Sequence, residues 1–277
     1  MAMRDFIFVP PEHGEIDPLR RVAAQARREL PKRFYAAASI QARGAGFAIL
    51  LDGRALKTPL KSDLLLPGKA LAAMIAEEWA VQGERIDSTA MPLTRLANSA
   101  LCGVAQAMAA TFEETLAYAG SDALCYRADA PAELVALQAA AWDPVIEWAR
   151  TDLGARFVPV EGIVHAAQPQ AALDAVRTEA ARLVGEGPRA PFRLAALNVM
   201  TALTGSLLLS LYCAILDRSP ETVWTAAHVD EDFEIGLWGE DAVAKTRRAG
   251  RWRDFVAACA MLRATEDPRR DAPASRS

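Results

Sequence analysis

Apolar and polar positions change their period part-way along the chain. Phe34, Tyr35, Ser39 and Ile40 precede an apolar run at residues 47–51, Asp52-Gly53 follows, and a further short run occupies residues 55–58. This pattern predicts strand, strand, tight turn, strand. Asp-Gly supplies the turn because a type I′ turn requires positive φ at both central residues, which Asp tolerates and Gly adopts freely. Beyond Pro67-Gly68 the apolar positions recur at helical spacing. Leu71, Met74, Ile75 and Trp79 mark a helix that stops near Gly83, and Leu93, Leu96, Ala97, Ala100, Leu101 and Val104 mark one that begins at Pro92. Proline suits a first helical turn, where the missing N–H has no intrahelical partner.

Helices are further expected at about 109–119, 131–150, 169–185, 192–217, 219–228 and 240–265, joined by Gly- and Pro-marked loops such as Gly185-Glu186-Gly187-Pro188. The chain reads as an α+β protein. An arm with a short helix covers residues 1–31, a small antiparallel β-rich module 32–67, and a larger all-helical domain 68–265. Residues 266–277 are polar and contain Pro, which predicts a disordered tail. Residues 194–216 carry no charge over 23 positions, enough to cross a bilayer. Their small and hydroxyl residues, and apolar positions at helical spacing, favour a buried core helix without stable membrane insertion. No second span or polybasic flank accompanies them.

Composition narrows the function classes. Hydrophobic residues make up 52% of the 277, charged residues 24% and aromatic residues 7%, a globular, helix-favouring balance. Thirty-one Lys plus Arg against 35 Asp plus Glu give a net charge of −4, which argues against nucleic acid as a partner. Cys102, Cys125, Cys213 and Cys259 are too dispersed for a C-x-x-C clip and read as reduced thiols. His13, His165 and His228 have no ligand spacing, so no metal is expected. The N-terminus is too short in apolar residues for a secretory signal and too acidic for a clear transit peptide. A bacterial cytoplasmic chain is expected, or one of the mitochondrial matrix if it is a processed eukaryotic protein.

Catalytic signatures are missing. Gly44-Ala45-Gly46 has Ile49 where a dinucleotide fingerprint needs a third small residue, and a strand follows it, so it reads as a hairpin turn. Neither a P-loop nor a G-x-S-x-G elbow occurs. A small-molecule site could still converge in the fold, with Arg95, Asn98, Tyr126, Arg127 and Asp143 as its plausible cluster. The same residues also serve as braces between helices. Arg95 and Asn98, three apart on one helical face, are expected to fix their helix against the β-rich module. Trp79 is expected in the core or at the domain junction.

The most unusual local composition is residues 228–241, HVDEDFEIGLWGED, where six acids surround Phe233, Ile235, Leu237 and Trp238 without a Lys or Arg. Gly239 reads as a helix N-cap, Glu240 and Asp241 as first-turn acids, and Asp241–Lys245 as an i,i+4 ion pair. Trp238 beside these acids suits an interface anchor. Asp230, Glu231 and Asp232 form a second candidate run.

Dispersed motifs carry a resemblance. They run from Lys32-Arg33-Phe34-Tyr35 through Leu51-Asp52-Gly53-Arg54, Leu56-Lys57-Thr58-Pro59, Ala76-Glu77-Glu78-Trp79, Gln82-Gly83 and Ile86-Asp87. The most specific block is Met91-Pro92-Leu93-Thr94-Arg95-Leu96-Ala97-Asn98, followed by Tyr126-Arg127, Trp142-Asp143-Pro144, Gln168-Pro169 and Trp238-Gly239-Glu240. Across roughly residues 32–250 the chain resembles the ATP-twelve family, assembly chaperones that hold the unassembled α subunit of the F-type ATP synthase head. Ala55, where Pro is usual, and Gly236-Leu237, where more polar residues are usual, depart from the pattern outside the identifying blocks. The resemblance implies a β-rich N-terminal part and a helical C-terminal part, no enzymatic activity, no cofactor, and the α subunit as partner. It aligns Glu240 with the family's functional acidic position, so the partner-binding residues are expected to be Glu240, Trp238, Asp241, Asp232 and Glu231. Trp79, Arg95, Asn98, Asp52 and Gly53 are expected to be structural, and the protein to be a monomer.

Overall fold

The computed structural model describes residues 30–162 and 166–266. The expected helix of the N-terminal arm, nearly all of the C-terminal tail, and His13 and His165 lie outside the described residues. The chain divides into two compact units at Gly103/Val104. The change from strand to helix near residue 67 is present, but two helices beyond it belong to the first unit because they complete the core of the sheet.

In that unit, β1 (Ala38–Arg43) pairs antiparallel with β2 (Gly46–Leu51), which also pairs with the short strands β3 (Arg54–Ala55) and β4 (Leu65–Leu66). Asp52 and Gly53 connect β2 to β3 with φ of 46° and 78°, both positive as a type I′ turn requires. Asp52 acts twice, since its carboxylate also accepts the N–H groups of Ala36 and Ala37 at 2.9–3.1 Å. Gly46 is required for another reason: a Cβ there would lie 2.7 Å from the Leu66 carbonyl oxygen.

Helix α1 (Lys69–Ala80) lays Leu71, Ala72, Ile75 and Trp79 on the sheet, joining Ile49, Leu51, Leu64 and Leu66 in a core without exposed surface at most positions. The Trp79 ring lies 5.6 Å from that of Tyr35, whose hydroxyl donates to the Trp79 carbonyl at 2.7 Å. A second aromatic therefore accompanies Trp79. The indole N–H itself has no hydrogen-bond partner, so packing alone holds this ring. Arg33 closes the far end of α1: its guanidinium donates to the carbonyls of Tyr35, Ala36, Ala80 and Gln82. Cations favour a helix C-terminus for this reason.

Helix α2 (Pro92–Cys102) begins with the proline, and its next two N–H groups are taken by a residue of α1. Glu78 accepts Leu93 N–H, Thr94 N–H and the Thr94 hydroxyl, each at 2.7 Å. Burial pushes the Glu78 carboxyl up, while these donors and the Arg95 charge pull it down. Arg95 is half-buried on α2. Asn98 is buried with its side-chain oxygen unmatched by a donor, and Glu78 supplies a hydrogen-bonded brace between α1 and α2.

The second unit is helical: α3 (Met108–Ala117), α4 (Ala132–Asp152), α5 (Gln170–Val184), α6 (Ala190–Thr204), α7 (Leu207–Ile215), α8 (Pro220–Ala227), α9 (Val229–Trp238) and α10 (Ala242–Ala264). Two-residue strands β5 (Tyr126–Arg127) and β6 (Val160–Glu161) pair in parallel. Helix α6 is central, packed by α3, α5, α7 and α10, with Phe192, Leu194, Leu197 and Met200 buried.

The expected single helix over 192–217 is two helices. Gly205 ends α6 at φ 67°, and the Ser206 hydroxyl caps α7 by accepting Leu209 N–H at 3.0 Å. No described helix is long and apolar enough to cross a membrane. Asp122 supplies the remaining cap. Fully buried, it accepts Leu124 N–H at 3.2 Å and Leu208 N–H at 3.0 Å, tying the segment after α3 to the start of α7. Burial drives its pKa up to about 6 despite these donors.

Two expectations follow. Glu78→Ala strips two backbone N–H groups and a hydroxyl of their acceptor and should cost about 2–4 kcal/mol in urea unfolding; a variant that unfolds with the parent would contradict the capping role. Asp122 ionises near pH 6 in the fold and at its ordinary value of 3.8 unfolded, so its stabilisation is full below about pH 4 and falls as pH rises through about 6. The parent's stability relative to Asp122→Asn should decline by on the order of 2–3 kcal/mol across that window. A constant difference would remove Asp122 as the titrating group.

Candidate functional site

The acidic segment at 228–241 is mostly helix, not loop. Asp230, Glu231 and Asp232 occupy the first turn of α9, where the positive end of the helix dipole favours them. Each also meets a neighbour within its unit. Asp230 accepts from Gln138 of α4 at 2.7 Å, and Gln138 in turn accepts Ala128 N–H at 2.8 Å. Asp232 pairs with Arg248 of α10. Glu231 lies 3.9 Å from His228 Nε2. The His228 ring lies 3.9 Å from that of Trp224, tilted by 32°, bonds the Trp224 carbonyl through Nδ1 at 2.8 Å, and faces Arg251 through Nε2 at 3.4 Å. Burial, with the Arg251 and Arg248 charges, lowers its pKa, while the bond to the Trp224 carbonyl and the Glu231 charge raise it.

The turn from α9 to α10 differs from the expectation in its caps. Gly239 at φ 83° terminates α9, its N–H bonded to the Ile235 carbonyl at 2.8 Å, so it is not an N-cap. Asp241 is the N-cap of α10, its Oδ2 accepting Val243 and Ala244 N–H at 3.0 Å each. Asp241 therefore does not pair with Lys245. Glu240, in the connector rather than a first turn, reaches Lys245 at 3.4 Å. At this corner Leu237, Trp238 and Val243 are 59%, 82% and 42% exposed. The other five tryptophans are buried or half-buried.

The residues of the alternative small-molecule site are divided between the two units. Arg95 and Asn98 belong to the first unit, Tyr126, Arg127 and Asp143 to the second. Arg127 bonds Asp143 at 2.8 Å and the Leu124 carbonyl at 2.8 Å, and lies over the Trp142 ring at 5.2 Å. Trp142 is buried and donates to the Ala226 carbonyl at 2.7 Å. Tyr126-Arg127 and Trp142-Asp143 thus brace α4 within the helical unit. Among the described residues no group of three or more His, Cys, Asp or Glu side chains is arranged to hold a metal.

Residues 32–150 match the family model described as ATP12 chaperone protein. The Atu1473 protein from Agrobacterium tumefaciens is 42% identical, with a TM-score of 0.81 over 91% of this chain and 92% of that one. Atp12 from Paracoccus denitrificans is 39% identical, with a TM-score of 0.77 over 85% of this chain and 99% of that one. The chain belongs to the ATP12 family of ATP synthase assembly chaperones.

In this ATP12-family chain, Trp238, Glu240 and Asp241 converge on one corner, whereas Glu231 and Asp232 lie on earlier turns of α9 and face His228 and Arg248. Leu237 and Val243 complete the corner and were not anticipated. Their sequence signal is two apolar residues flanking a Gly-acid helix break, which fixes position but not exposure. The corner's parts should separate on substitution. Asp241→Ala removes an N-cap and should cost about 1 kcal/mol, whereas Trp238→Ser, with little surface to lose, should stay within about 0.5 kcal/mol of the parent. Urea midpoints measure both, and a strongly destabilised Trp238→Ser would show that the ring is a packing element.

Proposed function

We propose that this ATP12-family chaperone binds the unassembled α subunit of the F-type ATP synthase head through the Leu237–Trp238–Val243 corner and its acidic rim, without catalysis and as a monomer. The observation that carries the reading is the exposure of Trp238. A large aromatic side chain left 82% in solvent, beside two further exposed apolar residues, is costly unless a partner covers it. Family membership supplies the class of partner.

The α subunit before assembly exposes the surface that later meets β, and an exposed obligate interface self-associates. A partner that covers this surface more weakly than β suppresses aggregation by mass action and yields to β on assembly. A small apolar corner suits that task, because a modest contact releases more readily than an extended one. The acids around it select for a basic client surface, and Glu240 is the one of them that stands beside Trp238 and is held only by a single surface cation, Lys245. The compartment that fits this reading is the bacterial cytoplasm, or the mitochondrial matrix if the chain is a processed eukaryotic protein.

Co-expression with isolated α subunit tests it. Trp238→Ser should reduce the soluble α fraction at least about tenfold, the size of an interface hot spot. Glu240→Lys should weaken capture further than Glu240→Gln, because reversal adds repulsion to the lost contact. All three variants should fold like the parent. Undiminished capture by folded Trp238→Ser would move the client site elsewhere on the protein.

A further inference from the structure

The helical unit holds a buried thiol pair for which client binding gives no use. Cys213 of α7 and Cys259 of α10 place their sulfurs 3.9 Å apart, and both residues are buried. We infer that this pair is a modification site at which a small peroxide closes an intramolecular disulfide between α7 and α10. The geometry carries the inference. The sulfurs already touch, and a disulfide requires about 2.05 Å, an approach that rotation of two short side chains can supply between helices packed against each other.

The surroundings fit the chemistry. A small void about the size of one water is lined by both cysteines together with Met200, Ala214, Leu262 and Arg263, so oxidation by a small peroxide, not by a protein, is the route the packing suits. Arg263 lines the same void and is held there by Asp217 at 2.8 Å and by the Arg218 carbonyl at 2.9 Å. The hydrogen bond from Cys259 lowers the Cys213 thiol, which makes Cys213 the nucleophile. Its partner is raised by donating that bond. By contrast, burial pushes the Cys125 thiol up to about 12, so burial alone does not make a cysteine reactive here.

The Cys213 thiolate attacks one peroxide oxygen, breaking the O–O bond and forming a sulfenic acid with loss of hydroxide. Cys259 then attacks the sulfenic sulfur, its proton leaving with the displaced hydroxyl as water. In sum, two thiols and one hydrogen peroxide give one disulfide and two waters; the sulfurs lose two electrons and the peroxide oxygens gain them. The cross-link would tie α7 to the helix whose opposite end, beginning at Ala242, carries Val243, so the chemistry reaches the element that carries part of the proposed client corner. The inference itself stands without that reading.

The full-length reduced protein, freed of reductant and treated with hydrogen peroxide while folded, tests the assignment. The expected product has lost two hydrogens by intact mass, yields a peptide pair joining Cys213 to Cys259, unfolds at higher temperature and reverts with dithiothreitol. Cys213→Ser and Cys259→Ser should each abolish the linked peptides. Half-exposed Cys102 reports that peroxide has acted. Oxidised Cys102 with both buried thiols still free, sulfinic acid at Cys213 without a cross-link, or linkage through Cys102 or Cys125 would each overturn the assignment. The peptide map of the parent decides these outcomes even if a serine variant fails to fold.

Discussion

Glu78 and Asp122 perform the same task in the two units: each carboxylate comes from a distant segment and sits on the open N–H groups of a helix start. In the first unit the start is α2, where Pro92 has no N–H to offer and Glu78 takes the next two. In the second it is α7, where Asp122 takes Leu208 N–H while capping its own turn at Leu124. A helix N-terminus buried without acceptors is expensive, so these contacts specify which helix ends meet and in what register. The burial that makes each cap strong also raises the cost of its charge, which is why both carboxyls are pushed up. Apolar packing of Ile75 and Trp79, or of Leu197 and Leu208, then fills the space that these caps define.

Local signals in the sequence reach some of this and stop where partners are distant. Asp52-Gly53 names its turn because positive φ at both positions is a property of the dipeptide. Pro92 marks a helix start for a similar reason. No local pattern reveals that Glu78 reaches Leu93 and Thr94, because acceptor and donors lie on different helices. The uncharged stretch at 194–216 hides its break, since Gly205 and Ser206 count as small core residues until Asp122, remote in sequence, makes the second start worthwhile. Helix α9 escapes a local reading for another reason: its acids stand out as a candidate docking run, while Arg248 and Gln138 that balance them lie elsewhere in the chain.

The candidate site shows how charge and exposure divide the work. Acids that looked like one docking stretch are mostly spent inside the unit, on a helix dipole, an N-cap and ion pairs, and they hold the α9–α10 turn in shape. That leaves the turn to present Trp238 with Leu237 and Val243, a contact small enough to be given up to a better partner. In the proposed function, specificity rests on the acids that remain at the rim, above all Glu240. The motifs Tyr126-Arg127 and Trp142-Asp143 brace the helices behind this surface.

The proposed function has this chain hold a free α subunit and surrender it to β. Size-exclusion chromatography with light scattering, on purified chaperone mixed with isolated α subunit and then titrated with β, measures it most directly. The account predicts a one-to-one complex of chaperone and α that disappears as β is added, returning free monomeric chaperone. Absence of that complex, or a complex that persists unchanged while α and β assemble, would contradict it.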